Sequence, residues 1–173
     1  MAAATALVFT FGFGAGLGFA SPVQAEPVMN GVYTYTQEGL EPQTWSIFPS
    51  CVPVVGDLRE PLELAVACRL HVEASRGDTN GGDARLADGQ WQFITSKIEG
   101  MQCPDGSWAP ITETYRFNDV TLTGTRSVAH NAVCGLAPSI HTVPFQLAYQ
   151  RPLPHPVDRY PLDCEPWGLR LCT

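Results

Sequence analysis

Charged residues are scarce in this chain of 173 residues, and basic residues are the scarcest. The sequence has one lysine among its ten basic residues, no basic residue before Arg59, and a formal net charge of −7. An acidic protein without a basic cluster is a poor partner for nucleic acid or for an anionic membrane surface. We therefore expect no nucleic-acid partner.

Several motifs that carry chemistry are also missing. The chain has no Cys-x-x-Cys pair, no closely spaced pair of Cys or of His for zinc, and no Gly-x-Ser-x-Gly nucleophile elbow. No amphipathic stretch of helical period stands out, which disfavours a helical fold. The sequence therefore predicts no catalytic residue, no cofactor and no metal ligand.

The N-terminus carries a long apolar run without charge, from Ala2 to Ala20. Small residues at Val23 and Ala25 precede Glu26, which predicts a signal peptide cleaved between Ala25 and Glu26. A retained membrane anchor is the rival, but alternate glycines dilute the run and no basic stop-transfer cluster follows. We expect a secreted or cell-envelope protein with no stable membrane anchor after cleavage.

Six cysteines in an exported chain predict disulfide bonds. Sequence alone does not choose among the possible pairings, and we predict pairing in sequential order. Each bridge would contribute roughly 2–4 kcal/mol by restricting the unfolded chain. The predicted pairs are Cys51 with Cys68, Cys103 with Cys134, and Cys164 with Cys172.

Short alternating runs between turns dominate the rest of the chain, and this pattern is typical of β-strands. In 68–74, for example, Leu70 and Val72 share one face while His71 and Glu73 share the other. The predicted strands are 31–36, 44–48 (ended by Pro49), 68–74, 90–99, 112–117, 120–128 and 142–150. Along 120–128, Val120 and Leu122 are expected on the buried face.

Three connecting segments have their own signals. The Asp- and Gly-rich segment 77–89 predicts a loop or short hairpin turn, and Pro104-Asp105-Gly106 predicts a tight turn. The segment 61–64 is compatible with a short turn of helix. Between strands, these connections suggest a simple antiparallel meander.

The predicted architecture is all-β: a signal peptide over 1–25 and one disulfide-stabilised, antiparallel up-and-down domain over 26–150. The sheet would close into a barrel or fold over as a sandwich. Five prolines in 151–173 exclude a helix or a central strand there. We expect this tail to be extended, closed by its own disulfide and packed on the domain.

The residue types present are compatible with two kinds of hydrolytic site. A serine-type site needs a nucleophile and a base within reach of each other. Ser127 lies three residues before His130, and His141 is a second candidate for the base. A glycosidase-type site needs two carboxylates across a groove, and Glu73 and Glu99 lie on predicted strands. Solvated polar side chains on the surface are the preferred explanation of all five residues.

Two groups of residues resemble parts of metal sites, but neither is complete. The segment 78–83 opens with Asp-x-Asn like a calcium loop, but it departs from that pattern at the later positions, so an acidic turn is preferred. His71 and Glu73 point the same way on one strand, but they lack a third ligand for zinc.

Aromatic side chains are concentrated on or beside the predicted strands. Most are expected in the core, because a β-domain of this size needs large side chains inside. Alternatively, some line a pocket for a hydrophobic ligand or form an exposed patch for a partner. They are Tyr33, Tyr35, Trp45, Trp91, Phe93, Trp108, Tyr115, Phe117, Phe145 and Tyr149.

An ordered set of short motifs resembles a known group of proteins. The set is Gly31-x-Tyr33, Trp45-x-Ile47, Pro49-Ser50-Cys51, Cys68, Ala87-Asp88-Gly89-x-Trp91, Cys103-Pro104-Asp105-Gly106, Thr121-Leu122-Thr123-Gly124-Thr125 and Cys134-Gly135. It resembles small exported β-rich proteins of mycobacteria and related actinobacteria, over the region 31–147. The resemblance implies export and a β-rich fold and assigns no activity. The tail with Cys164 and Cys172 departs from it.

Together these features favour a non-catalytic binding or interaction module of the cell envelope or medium, with a hydrophobic ligand or an envelope protein as partner. An extracytoplasmic hydrolase with an unrecognised site and a structural envelope component remain the alternatives.

Overall fold

The computed structural model describes residues 28–51, 54–55, 61–62, 67–75 and 79–159. The predicted cleavage between Ala25 and Glu26, the predicted bond between Cys164 and Cys172, and most of the proline-rich tail lie outside the described residues.

The described chain is built from ten strands. Eight of them close an antiparallel barrel in the order β1-β2-β5-β6-β7-β8-β9-β10, and β3 and β4 pair separately. The strands are β1 (Gly31–Gln37), β2 (Gln43–Cys51), β3 (Val54–Val55), β4 (Pro61–Leu62), β5 (Cys68–Ala74), β6 (Gly82–Ala87), β7 (Gln90–Gln102), β8 (Trp108–Phe117), β9 (Thr123–His130) and β10 (Ser139–Arg151).

Pairing between the first and last strands decides between the two predicted architectures. Tyr35 lies opposite Leu147, and Gln37 lies opposite Phe145, so β1 completes the sheet against β10. The domain is therefore an up-and-down barrel rather than a sandwich. Closure pairs both edges of the sheet, which removes exposed strand edges that could recruit other chains.

Aromatic rings fill the barrel interior. Trp45 is fully buried, and its ring stacks on Tyr35 with 4.5 Å between centroids. Phe93 and Tyr115 stack at 4.6 Å. The other core rings among the predicted aromatics are Tyr33, Trp91, Phe117 and Phe145, whereas Trp108 and Tyr149 are exposed. The core interpretation is confirmed for eight of the ten.

Two disulfides lie in the described part of the chain, and both have the predicted partners. Cys51 and Cys68 face each other at the ends of β2 and β5, with 4.0 Å between their Cα atoms. Cys103 and Cys134 join the β7–β8 turn to the β9–β10 connection, with 5.3 Å between Cα atoms. Such bonds are typical of proteins in an oxidising environment.

The predicted end of a strand at Pro49 is wrong. β2 continues to Cys51, and Pro49 lies opposite Leu70 of β5. Pairing of β2 with β1 ends at Ile47, so β2 has a strand partner on one side only at Pro49. A residue without an N–H group is tolerated in a strand where one side is unpaired.

The connecting segments also differ from the predictions. The segment 77–89 contains β6, which pairs with β5 and β7, and Asp88 and Gly89 form the turn that follows it. Residues 61–62 form the short strand β4 rather than a turn of helix. Glycine and aspartate in 77–89 lowered the apparent strand preference, but pairing on both sides of β6 overrides it.

The predicted strand 120–128 begins too early. Asn118 accepts hydrogen bonds on its side-chain oxygen from the backbone N–H groups of Val120 and Thr121, which forms a turn before β9. Leu122 has a φ of 55° and donates its N–H to the Asn118 carbonyl. Val120 is therefore exposed rather than buried, while Leu122 still packs against the core.

The start of the proline-rich tail contacts the barrel. The Arg159 carbonyl accepts a hydrogen bond of 2.7 Å from the backbone N–H of Cys51, on the part of β2 that β1 leaves unpaired.

Within the described ranges, no helix combines the length and the apolar character needed to span a membrane.

Candidate functional site

A chain of hydrogen bonds joins Ser50, His71 and Asp83 on the outer wall of the barrel. His71 Nε2 lies 2.8 Å from Ser50 Oγ, and His71 Nδ1 lies 2.8 Å from Asp83 Oδ1. The three residues belong to the adjacent strands β2, β5 and β6. Serine, histidine and aspartate in this order and at these distances form the arrangement that activates a serine hydroxyl.

Strand register brings the three side chains together. His71 lies opposite Asp83 in the β5–β6 pair and opposite Phe48 in the β2–β5 pair. Ser50 is two residues beyond Phe48, so its side chain points to the same outer face. The alternation that buries Leu70 also directs His71 outward. Backbone pairing thus determines the geometry, and no loop is needed to position the cluster.

Two neighbours restrict the cluster. The Phe48 ring stacks on the His71 imidazole, with 5.0 Å between centroids and 27° between planes. Arg69, which lies opposite Ser50, forms an ion pair of 3.5 Å with Asp83. The His71 side chain is 29% exposed and that of Asp83 is 52% exposed, so solvent reaches the site.

The serine site considered from sequence is not formed. Ser127 Oγ lies 2.8 Å from Thr142 Oγ1, and His130 Nδ1 lies 2.8 Å from the carbonyl of its neighbour Asn131. His141 is exposed. The histidine that does contact a serine and a carboxylate is His71, which sequence reasoning assigned to a different hypothesis.

The carboxylate pair and the metal sites considered from sequence gain no support from the structure either. Glu73 on β5 and Glu99 in the irregular part of β7 are both exposed, with β6 between their strands. Asp83, at the end of the considered calcium loop, instead contacts His71 and Arg69. Asp78 lies outside the described residues. In the ranges that the structure describes, no three His, Cys, Asp or Glu side chains are grouped around a metal position.

A buried charge pair lies inside the barrel and was not foreseen. Glu113 has no exposed surface, forms an ion pair with Arg126, and accepts a hydrogen bond of 2.7 Å from the Tyr115 hydroxyl. The Arg126 guanidinium also lies 5.9 Å from the Tyr115 ring centroid. The alternation of β8 gives the signal, since Glu113 lies between Ile111 and Tyr115 on the inward face.

Burial sets the protonation of this interior cluster. It raises the pKa of Tyr115 far above the usual range, and the neighbouring Glu113 carboxylate raises it further. Burial raises the pKa of Tyr35 in the same way. Burial would lower the pKa of Arg126, but the hydrogen bond and charge of Glu113 oppose it and the pKa is raised. The phenols of Tyr35 and Tyr115 therefore stay neutral beside the Glu113–Arg126 ion pair.

A shallow groove crosses the outer wall over strands β7, β8, β9 and β10, away from the strands that carry Ser50, His71 and Asp83. We call it the β7–β10 groove. Ser96 lies opposite Thr112, Thr112 opposite Ala129, and Ala129 opposite Ile140, which makes one row across four strands. Pro110 and Pro138 also line this groove. Ile140 in the row is 73% exposed, and Ile98 nearby on β7 is 83% exposed.

Comparison with known proteins adds no assignment. No family model matches this chain, no curated protein matches its sequence, and no solved structure matches it. The class is therefore that of a disulfide-bonded, up-and-down β-barrel with a filled interior, and its function is argued from its own residues.

Proposed function

We propose that this protein is an exported binding or interaction module of the cell envelope or medium, and that its partner is a protein. The observation that carries the proposal is the filled interior. The rings of Tyr35, Trp45, Phe93, Tyr115 and Phe145 pack against one another where a ligand-carrying barrel would have its cavity. A partner would then bind to the outer wall or to the ends of the barrel.

The β7–β10 groove is the surface that we assign to the partner. Exposed Ile140 ends a row of small hydroxyl-bearing and alanine side chains, and prolines also line the groove, so the groove offers apolar contact beside hydrogen-bonding groups. This mixture is typical of interfaces between proteins that also exist apart. The net charge of −7 disfavours an anionic partner.

The sequence features that predict export support the same proposal. The apolar run before Glu26 has the features of a signal peptide, and the two disulfides require an oxidising compartment to persist. The resemblance to small exported actinobacterial proteins points the same way. Native mass spectrometry of protein recovered from the medium tests this directly. We expect a chain that begins at Glu26 and contains three disulfides, and a chain that retains Ala2–Ala25 would contradict it.

Site-specific crosslinking tests the groove. A photoreactive residue at Ile140 should crosslink to one envelope protein in cells of the host. The matched control is the same residue at Val120, which is 68% exposed on the turn between β8 and β9 at the other end of the barrel. Equal crosslinking at both positions, or none at Ile140, would overturn the assignment. Tight retention in the cell wall without a crosslinked protein would favour the structural alternative.

A further inference from the structure

We propose that Ser50 is an activated nucleophile that cleaves acyl esters, with His71 as its general base and Asp83 as the residue that positions His71. This inference takes up the hydrolase alternative and does not depend on the β7–β10 groove. It rests on the two hydrogen bonds of 2.8 Å that link the three side chains.

The direction of these hydrogen bonds is indicated by which atoms of the three side chains can donate and which can accept. An ionised Asp83 carboxylate can only accept, so the His71 Nδ1 atom that faces it must carry a proton. In a neutral imidazole the other nitrogen, Nε2, then has a free lone pair and accepts from the Ser50 hydroxyl. In this tautomer the serine proton points at the base that would remove it.

The cluster is preorganised rather than incidental in two further respects. Stacking of Phe48 on the imidazole at 5.0 Å limits rotation of His71, and backbone pairing of the flanking strands holds Ser50 and Asp83 in place. Ser46, on the same strand and the same outer face as Ser50, lies opposite Glu73, and within the described residues it makes no hydrogen bond to His71. It therefore provides an internal comparison.

The reaction balances with an ester and water as its only reactants. Ser50 Oγ attacks the carbonyl carbon while its proton passes to His71 Nε2. The bond from the carbonyl carbon to the leaving alcohol breaks, and the alcohol oxygen takes that proton. Water then attacks the acyl-serine through the same base, which releases the carboxylic acid and restores the hydroxyl.

The surroundings define the substrate class. Arg69 lies opposite Ser50 in the strand pairing, and its guanidinium forms an ion pair of 3.5 Å with Asp83, so a cation lies within the cluster. The site lies on the outer wall of the barrel, and the Asp83 side chain is 52% exposed, so small molecules can reach it from solvent. We therefore assign short, unhindered acyl esters as substrates.

Covalent labelling of the intact, oxidised protein tests the nucleophile. A fluorophosphonate probe transfers its phosphorus to an activated serine oxygen and releases fluoride. Peptide mapping should place the label on Ser50, and His71→Gln should slow labelling at least about a hundredfold, the usual contribution of a general base. Ser46→Ala is the matched control and should leave the rate unchanged. Labelling of Ser46 at the same rate, or unchanged labelling in H71Q, would overturn the proposal.

Asp83→Asn tests the positioning role with a spectroscopic readout. An asparagine amide can donate to Nδ1, which would move the imidazole proton to Nε2 and remove the acceptor for Ser50. We expect the ¹⁵N shifts of His71 to report this tautomer change, together with slower hydrolysis of an aryl acetate and an unchanged circular dichroism spectrum. A changed tautomer with an undiminished hydrolysis rate would contradict the role of Asp83. A negative result for Ser50 would leave the crosslinking result at Ile140 unaffected. The proposed hydrolysis and the proposed partner binding are therefore tested independently.

Discussion

Glu113 and Arg126 form a buried ion pair inside an otherwise aromatic barrel, and the stability of the fold depends on both partners. Glu113 is wholly enclosed, and its two oxygens are satisfied by Arg126 and by the Tyr115 hydroxyl. A buried charge is tolerated when it is paired and hydrogen-bonded, and it becomes strongly unfavourable when its partner is removed. At the residue scale, these side chains should therefore dominate the response of stability to mutation and to pH.

Loss of the cation should be costly. Arg126→Met leaves the Glu113 carboxylate buried without its counter-charge, and we expect the free energy of unfolding to fall by roughly 3–5 kcal/mol. The double variant Glu113→Gln with Arg126→Met should lose less than the sum of the two single variants, because no unpaired charge remains. Urea denaturation of the three variants measures this. Simple additivity would show that the two side chains are not energetically coupled.

Alkaline pH should unfold the protein through its buried phenols. The pKa of Tyr35 and that of Tyr115 are raised by burial, so the folded barrel holds these protons more tightly than the unfolded chain. Their contribution is complete below about pH 10, the usual pKa of tyrosine, and it is lost as pH rises beyond that value.

Urea denaturation at a series of alkaline pH values should show this loss, with tyrosinate absorbance appearing as the barrel unfolds. Tyr35→Phe should reduce the slope of stability against pH. The control is Tyr149→Phe, which changes an exposed tyrosine. Parallel slopes for wild type and the Tyr35 variant would contradict the prediction.

At the element scale, the turn between β6 and β7 depends on left-handed backbone geometry. Ala87 and Gln90 pair directly, and the two residues between them, Asp88 and Gly89, have φ angles of 53° and 73°. Two residues of positive φ between paired positions are the requirements of a type I′ hairpin, for which Asp-Gly is a favoured sequence. This short connection sets the register of β7 against β6.

Substitution of Gly89 should distinguish backbone strain from side-chain crowding. Nothing lies within 4 Å of the position that a Cβ atom would occupy there, so only the backbone conformation opposes a side chain. We expect Gly89→Ala to cost roughly 1–2 kcal/mol and Gly89→Asn to cost less, because asparagine enters the left-handed region more readily. Thermal unfolding compares the two variants. Equal losses would show that the left-handed preference is not the cause.

The whole molecule is held by barrel closure and by two disulfides at opposite ends. Cys51–Cys68 ties β2 to β5 beside the start of the tail, whereas Cys103–Cys134 ties the connections at the other end. Because the bonds restrict different segments of the unfolded chain, their contributions should be independent.

Cysteine substitutions test this independence. Cys51→Ser and Cys68→Ser should each lower the free energy of unfolding by roughly 2–4 kcal/mol, and the double variant should lose no more, since either change breaks the same bond. Cys51→Ser combined with Cys103→Ser should lose about twice as much. Denaturant unfolding of the non-reduced proteins provides the comparison, and additive losses for Cys51 and Cys68 would argue against their pairing.

Local patterns in the sequence determined the strand class and the inward faces. Alternation along 68–74 and around Trp91 identified the buried side chains, because a strand places successive residues on opposite faces whatever its partner. Order along the chain also predicted both described disulfides. Pro49 and the segment 77–89 were misread, because pairing on neighbouring strands outweighs local strand preference there.

Only the tertiary structure decided which polar residues meet. Ser50 is 21 residues from His71, and His71 is 12 residues from Asp83, so their contact depends on the register of three strands. That register is set jointly by the hairpin lengths, the buried alternation and the return of β10 to β1, and none of these is a local property. Closure likewise required pairing between the first and last strands, which no window of sequence can specify.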